Sequence, residues 1–254
     1  MNSLSIKIIN QLKDNYSYII LKKNHSSAII IDPAESASHI DFLKKNNFIL
    51  ENIIITHHHS DHTNGVEELK KEYQDVKIYS PSELLNIETT KIIEGDTINT
   101  SLNKFSIIET PGHTLDHVVL YDSENKVLFS GDTLFRLGCG RIFEGTFNQM
   151  YNSLQKIYLL PNNISVYCGH EYTLTNLKFL ESILGEKKQL KKIKNQIKLE
   201  LLNYKRSIPF NLGQDKELNP FLNQDSELFK TIKNNNGFSN YELFKFLRDK
   251  KDSF

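Results

Sequence analysis

The segment Ile53–His62 reads Ile-Ile-Ile-Thr-His-His-His-Ser-Asp-His, so an apolar run leads directly into four imidazoles and a carboxylate. Consecutive isoleucines are typical of a buried β-strand, which places the polar residues in a loop at its end. Imidazole nitrogens and carboxylate oxygens are the ligands that suit zinc and neighbouring metals. The alternative is a surface cluster or a tag, but a tag would stand at a terminus without Ser60 and Asp61 interrupting it. The segment therefore predicts a metal site.

Further candidate ligands lie downstream of this segment. Each is a His or an Asp beside a glycine, in Gly112-His113-Thr114, Gly131-Asp132-Thr133 and Gly169-His170-Glu171. Two of the three follow directly on a β-rich run, as the first segment does. A stray surface cluster would not predict such repeats, so the pattern favours one site assembled from several loops.

Composition limits the class of protein. With 254 residues, 39% of them hydrophobic, the chain can bury one large domain, or one with a smaller second domain. Thirty-one basic and 31 acidic residues cancel, so we expect no nucleic-acid or membrane partner. The segment Met1–Lys13 lacks the apolar core of a signal peptide, and no run approaches a membrane span. Two cysteines, Cys139 and Cys168, fit a reducing compartment, so we expect a cytoplasmic protein with both as small buried residues.

The hydrophobic period changes once along the chain. Short β-rich runs recur up to about residue 170, namely Leu4–Ile9, Tyr18–Leu21, Ala28–Ile31, Ile53–Ile55, Lys77–Tyr79, Phe105–Ile108, Val118–Tyr121, Val127–Phe129 and Ile164–Tyr167. Helices are predicted between them at 36–45, 65–73 and 150–160, the last after a capping box at Thr146–Gln149. Beyond Tyr172 the pattern is helical only, with one helix face formed by Leu190, Ile193, Ile197, Leu201 and Tyr204 and a capping box at Ser239–Glu242. The pattern predicts an α+β protein divided near residues 170–175.

Two motifs carry a resemblance to a known family. The pattern His57-x-His59-x-Asp61-His62, followed by His113, Asp132 and His170, resembles the metallo-β-lactamase superfamily. Within it, residues 129–135 (Phe-Ser-Gly-Asp-Thr-Leu-Phe), 138–141 (Gly-Cys-Gly-Arg) and 143–146 (Phe-Glu-Gly-Thr) resemble glyoxalase II, the hydroxyacylglutathione hydrolase family. The resemblance extends from residues 14–16 through Asn219-Pro220-Phe221 to residues 248–251. It implies a four-layer αβ/βα sandwich with a C-terminal helical domain: a catalytic domain at 1–171 and a substrate-binding domain at 172–254.

The resemblance also implies how a metal centre is held. By that correspondence His57, His59 and His113 bind one divalent ion, and Asp61, His62 and His170 bind a second. Asp132 bridges the two ions, and Asp61 and Asp132 are the carboxylates expected to act in catalysis. Two such ions lower the pKa of a shared water to near 7, which makes hydroxide available as the nucleophile. Zinc is the expected ion, and the same donors accept iron or manganese.

The family further implies a substrate, S-D-lactoylglutathione, whose thioester is cleaved to D-lactate and glutathione in the detoxification of methylglyoxal. The residues that correspond to its glutathione-binding positions are Arg141, Phe143, Tyr172, Arg248 and Lys251. Phe143 stands where many relatives have Tyr, so one hydrogen bond, worth about 0.5–1.5 kcal/mol, is lost. Arg248 and Lys251 are three residues apart, on one helix face, although they could equally be a solvated face. Tyr172 could equally pack at the domain junction.

Several alternatives remain open at this level. A nuclease of the same superfamily could use the same ligands, and a glutathione persulfide dioxygenase would need one ion held by two His and one Asp. A metal-stabilised binding module would have a coordinatively closed site. His58 is expected to be exposed or to support a ligand, and His117 to be structural or supporting. We expect a monomer whose partner is the small-molecule thioester.

Overall fold

The computed structural model describes residues 4–254, which form two compact units. Unit 1 contains the chain up to Glu109 together with Asp116–Gly131, and unit 2 contains Thr110–Leu115 and Asp132–Phe254. Residues 1–3, which begin the segment where no signal peptide is expected, lie outside the described residues. The predicted domain boundary at 171/172 falls inside unit 2 and stays a prediction.

Unit 1 contains a six-stranded sheet whose strands follow one another in chain order. They are β1 (Leu4–Gln11), β2 (Asn15–Lys22), β3 (Ser27–Ile31), β4 (Ile49–Ile54), β5 (Lys77–Ser80) and β6 (Thr90–Lys91). The first three strands are antiparallel, whereas β3, β4, β5 and β6 are parallel. The isoleucine-rich β3 is buried along Ala28–Ile31, as expected for a strand covered on both faces.

Three helices connect these strands, and they explain why the sheet is buried. They are α1 (Ala37–Lys45), α2 (Ser60–Thr63) and α3 (Val66–Glu72). Leu43 of α1 and Leu69 of α3 are fully buried and pack with Ile30 and Ile53 of the sheet. The parallel neighbours β3 and β4 are paired up to Ile31 and Ile54, so the residues that follow them emerge at the same edge. That edge carries Asp32 and the histidine segment.

Unit 1 also contains four antiparallel strands in the spatial order β10-β9-β8-β7. These are β7 (Thr97–Asn99), β8 (Lys104–Glu109), β9 (Val118–Asp122) and β10 (Val127–Gly131). All five residues of β10 are buried, and the strand leads directly to Asp132, the first residue of the second segment of unit 2.

Unit 2 is mainly helical. Its strands are β11 (Leu134–Phe135), β12 (Gly138–Cys139), β13 (Ser165–Cys168) and β14 (Phe210–Asn211), and its helices are α4 (Phe147–Tyr158), α5 (Thr173–Leu184), α6 (Lys188–Tyr204), α7 (Leu212–Leu218), α8 (Lys230–Asn236) and α9 (Asn240–Asp252). The predicted capping boxes are present at the starts of α4 and α9, with Thr146 and Ser239 as N-caps. Among the helices of residues 4–254, none combines the length and apolar character that crossing a membrane requires.

Two details of the helical part differ from the prediction. Strands do not stop at Tyr172, because β14 pairs with β13 and is followed at once by α7. The face of α6 is shorter than predicted: Leu190, Ile193 and Ile197 are buried, whereas Tyr204 is 62% exposed. Helical spacing gives the phase of a face, but the neighbouring elements determine how far along the helix that face is covered.

Candidate metal centre and substrate-binding residues

Four of the seven predicted metal ligands lie together in unit 1, in the loop after β4 and in α2. His57 is fully buried, and its Nε2 lies 3.1 Å from Nδ1 of His59. Asp61 and His62 follow in α2, with Asp61 Oδ2 4.0 Å from His62 Nε2. The short helix α2 turns the chain back, so the donor atoms of residues within one helical turn lie close together.

Asp32, which the sequence analysis did not single out, organises this loop. It is buried directly after β3, where it accepts hydrogen bonds from Thr56 N at 2.8 Å and Thr56 Oγ1 at 2.7 Å. Its Oδ2 also lies 3.0 Å from His62 Nδ1. A carboxylate on Nδ1 fixes the imidazole tautomer and leaves Nε2 available to a metal.

Three further residues lie beside the predicted ligands of unit 1. Asn15 Nδ2 donates to Asp61 Oδ2 at 2.9 Å, which orients that carboxylate. The buried ring of His117 stacks on His57 with centroids 4.8 Å apart, so His117 contacts a predicted ligand, and its structural or supporting role stays a prediction. His58 is exposed, which is one of the two positions expected for it, and its Nδ1 lies 2.9 Å from Asp116 Oδ1.

The other three predicted ligands lie together in unit 2, around one carboxylate oxygen. Asp132 Oδ2 is 3.4 Å from His113 Nε2 and 3.3 Å from His170 Nε2. Donor atoms about 2.0–2.2 Å from a tetrahedral ion are separated by about 3.4 Å, so these distances fit ligands that share an ion. An oxygen placed in this way towards two imidazoles has the arrangement expected of a bridging carboxylate. The donors of unit 2 therefore fit the predicted metal centre.

The backbone around Asp132 holds these ligands closely. His113 Nδ1 lies 2.8 Å from the carbonyl oxygen of Arg141, which leaves Nε2 for a metal. Gly140 N donates to Thr133 O at 3.2 Å, and a Cβ at Gly140 would lie 1.9 Å from Asp132 O. Only glycine therefore fits at this point, where the chain returns to Asp132.

The predicted substrate-binding residues also lie in unit 2. Phe143 is 60% exposed, with its ring 5.2 Å from that of His113, and the Arg141 guanidinium lies 5.6 Å from the Phe143 ring. Tyr172 stacks on His170, with centroids 4.8 Å apart and planes 4° apart, so it contacts a predicted ligand. These side chains offer aromatic and cationic surface beside the ligands of unit 2.

Arg248 and Lys251 both lie on α9 but differ in exposure. Arg248 is only 3% exposed, which excludes a solvated helix face for it, and its Nη1 donates to Cys139 O at 3.1 Å. Lys251 Nζ donates to Asn176 Oδ1. Burial, with the Arg248 charge second, lowers the pKa of Lys251 to about 8. Lys251 therefore still carries a positive charge at neutral pH.

The two cysteines are buried, as predicted. Burial raises the pKa of the Cys139 thiol and that of the Cys168 thiol, so both remain protonated at neutral pH. A protonated thiol is a poor nucleophile and a poor metal ligand, which agrees with their assignment as small packing residues.

The sequence carried a usable signal for one of the residues it missed. Asp32 follows an apolar run just as the histidine segment does, so two parallel strands in neighbouring positions could have placed both at one sheet edge. Asn176 and Asp215 carried no such signal, and Asn219 stood in a stretch of the family resemblance that assigned it no role. They are polar residues within or beside helices, and only the fold shows that they are buried.

Comparison with known proteins places the chain in a class. Residues 12–170 match the model of the metallo-beta-lactamase superfamily, and residues 171–254 match that of the hydroxyacylglutathione hydrolase C-terminus. ETHE1 from Myxococcus xanthus superposes with a TM-score of 0.65 at 22% identity, covering 95% of each chain. These matches confirm the predicted fold, the metallo-β-lactamase sandwich with a helical C-terminal part.

Full-length relatives narrow the class. Two proteins named hydroxyacylglutathione hydrolase, from Pectobacterium carotovorum and Pectobacterium atrosepticum, are 38% and 39% identical to this chain. Each alignment covers all of this chain and all of the relative. Within the metallo-β-lactamase superfamily, the chain therefore belongs to the hydroxyacylglutathione hydrolase family.

Proposed function

We propose that this protein hydrolyses the thioester of S-D-lactoylglutathione, and of related S-2-hydroxyacylglutathiones, to the hydroxy acid and glutathione. The observation that carries the proposal is Asp132 Oδ2, which lies at nearly equal distances from Nε2 of His113 and of His170. Membership of the hydroxyacylglutathione hydrolase family supports the substrate.

We assign the seven ligands to two divalent ions. His57, His59 and His113 would hold one, Asp61, His62 and His170 the other, and Asp132 both. When bound, such ions supply a hydroxide at neutral pH and polarise the carbonyl that it attacks. Zinc is the ion we propose, since mixed imidazole and carboxylate donors suit it, with iron or manganese as alternatives.

The residues of the chain have three tasks in this reaction. Asp32, Asn15 and the Arg141 carbonyl orient the ligands, so that donor atoms need not rearrange when the ions bind. Arg141 and Lys251 attract the carboxylates of the glutathione part, and Phe143 offers a face for its backbone. Asp61 and Asp132 would act in catalysis as carboxylates whose negative charges help hold the ions that supply the attacking hydroxide.

The charges near the glutathione part determine affinity more than rate. A contact that is equally strong in the bound substrate and in the transition state lowers KM without raising kcat. Both cationic side chains lie in unit 2, and Lys251 lies on α9, in the helical part that we propose as the substrate-binding domain. We further propose that the protein works as a cytoplasmic monomer in methylglyoxal detoxification, without a nucleic-acid or membrane partner.

The first test is the hydrolysis rate of S-D-lactoylglutathione, with metal content measured on the same sample and a thioester lacking glutathione run in parallel. We expect fast turnover of the glutathione substrate only, with about two ions per chain that a chelator removes together with activity. If the protein bound two ions but did not hydrolyse S-D-lactoylglutathione, the proposed substrate would be refuted. Cleavage of nucleic acid, or one ion with oxygen-dependent activity on a persulfide, would favour the alternatives.

Two lysines on α9 test the glutathione site. Replacing Lys251 by Ala removes a charged hydrogen-bond donor, worth about 1.5–3 kcal/mol, so KM should rise by about 10- to 150-fold while kcat changes little. Lys250→Ala is the matched control, because Lys250 is its neighbour on α9 and is exposed. Equal KM values for the two variants would exclude Lys251 from substrate binding.

A further inference from the structure

The loop Phe135–Gly140 connects Asp132 to Arg141 and is held by side chains from distant helices. Its carbonyl oxygens accept hydrogen bonds from Asn176 Nδ2, to Arg136 O at 2.9 Å, and from Asn219 Nδ2, to Gly138 O at 3.0 Å. Arg248 Nη1 adds the bond to Cys139 O described above. Buried side-chain donors from three helices therefore satisfy the backbone carbonyl groups of this one loop.

Asp215 and Asn219 form the centre of this arrangement. Asp215 Oδ1 accepts a hydrogen bond from Leu137 N at 2.7 Å, and Asn219 Nδ2 donates to Asp215 Oδ2 at 2.8 Å. Both side chains are buried, and they are separated by one helical turn at the end of α7. One carboxylate and one amide thus bind the loop through its backbone alone.

The conformation of the loop needs this support. Leu137 has φ +61°, in the left-handed region that a residue with a branched side chain rarely adopts. Such a conformation persists only where the surroundings fix it, and the bond from Leu137 N to Asp215 is one such fixing contact. Burial also raises the pKa of Asp215 to about 7, against the opposing hydrogen bonds of Asn219 and Leu137. The carboxyl group of Asp215 therefore lies in an environment that disfavours its charged form.

The C-terminal end of the loop contacts residues of the proposed reaction. At its far end, Gly140 N returns to Thr133 O beside Asp132, and Arg141 O contacts His113 Nδ1. A shift of the loop would therefore displace a metal-ligand carboxylate, the imidazole next to it, and the side chain of Arg141 together. Displacements of about 1 Å at such residues can cost up to about 100-fold in rate.

We propose that Asp215 and Asn219 are positioning residues for the hydrolysis proposed above, on which this inference rests. By fixing Leu137 N and Gly138 O, they set the spacing between Asp132 and Arg141. Asp132 would act at the thioester end of the substrate, and Arg141 would bind its glutathione end. The two residues touch neither substrate nor metal and act through the loop backbone.

The test compares Asp215→Ala and Asn219→Ala with Lys216→Ala. Lys216 is the matched control, because it lies on the same helix and binds Asn162 Oδ1 at 2.8 Å, away from the loop. Each variant is assayed for kcat and KM on S-D-lactoylglutathione, for metal content and melting temperature, and for hydrogen exchange of the Leu137 amide. Asp215→Asn, which retains an acceptor oxygen for Leu137 N, serves as the conservative rescue.

We expect Leu137 to exchange faster in Asp215→Ala, with kcat/KM lowered about 10- to 100-fold and metal content retained. Asp215→Asn should recover part of that loss, whereas Lys216→Ala should match the parent protein. Asn219→Ala, which removes no charge, carries the test if Asp215→Ala does not fold.

Two results would overturn the positioning role. One is faster Leu137 exchange with kcat/KM within about twofold of Lys216→Ala. The other is a loss of activity that only follows the loss of metal or of folded protein, without rescue by Asp215→Asn. A parent protein inactive on the glutathione thioester would instead refute the proposed function, and the exchange data would then report on the loop alone.

Discussion

The two groups of predicted ligands are built differently. The four in unit 1 lie within His57–His62, where a loop and one helical turn bring them together with support from Asp32 and Asn15. The three in unit 2 come from separate loops, and the chain around Asp132 depends on residues as distant as Arg248. The difference indicates that a set of candidate metal donors can be encoded locally, whereas the geometry around Asp132, the proposed bridging carboxylate, depends on the completed fold.

The largest effect is expected at Asp132, the residue that we propose holds both ions. Asp132→Ala removes the shared carboxylate, so turnover should fall to the background rate and metal content should fall with it. His58→Ala, at an exposed position inside the histidine segment, is the control and should remain active. The measurement is kcat together with metals per chain, and near-normal turnover by Asp132→Ala would refute the two-metal assignment.

Replacing Asp32 tests whether the predicted ligands of unit 1 keep their positions without support from outside the histidine segment. Asp32→Ala frees His62 Nδ1 and Thr56, and losing such a supporting carboxylate should cost about 10- to 100-fold in metal affinity or activity. Asp122→Ala is the matched control, since Asp122 is also buried in unit 1 but bonds to Asn103 and Asn125 instead. Metal affinities measured by competition with a chelator should separate the two variants, and equal affinities would show that the loop holds its ligands alone.

Acid should act on unit 1 through His39. The ring is buried beside Ser17 and the Glu35 carbonyl, and burial lowers the pKa of His39 to about 4. Because the folded state keeps His39 neutral while the unfolded chain takes up a proton below pH 6.5, stability should fall between pH 6.5 and pH 4, by up to about 3 kcal/mol. Denaturant unfolding of the parent protein and of His39→Gln at each pH gives the free energy of unfolding of each protein. Both proteins have the same predicted metal ligands, so the contribution of these ligands cancels in the difference. His25→Gln is the control. If the free energy of unfolding of His39→Gln fell with pH as steeply as that of the parent protein, the pH dependence could not be assigned to His39.

Alkali should act on unit 2 through Lys251, with a smaller effect. Since the pKa of Lys251 is about 8, the ammonium loses its proton as pH rises through that value. If only the charged form binds glutathione carboxylates, KM should rise by up to about tenfold per pH unit above the pKa. The profile of KM against pH checks this, with Lys251→Ala as the variant in which the rise should be absent. A rise that persists in that variant would assign the titration to another group.

The sequence predicted the strands and helices well where the pattern was strong and local. Short apolar runs correctly predicted the strands β3, β4 and β10, and the capping boxes predicted the starts of α4 and α9. Both signals depend on only a few neighbouring residues. It failed at β14, a two-residue strand whose formation depends on its pairing with β13. It also extended the buried face of α6 to Tyr204, because helical period carries no information about where the covering elements end.

What the sequence determined by itself is the chemistry: the kinds of donor atom, their order along the chain and the family to which they belong. Only the tertiary structure decided which polar side chains support that chemistry. Asp32, Asp215 and Asn219 gain their roles from burial and from partners far away in the chain, at Thr56, Leu137 and Gly138. The physical reason is that a buried polar group must find a hydrogen-bond partner, and the partner is defined only when distant segments pack together.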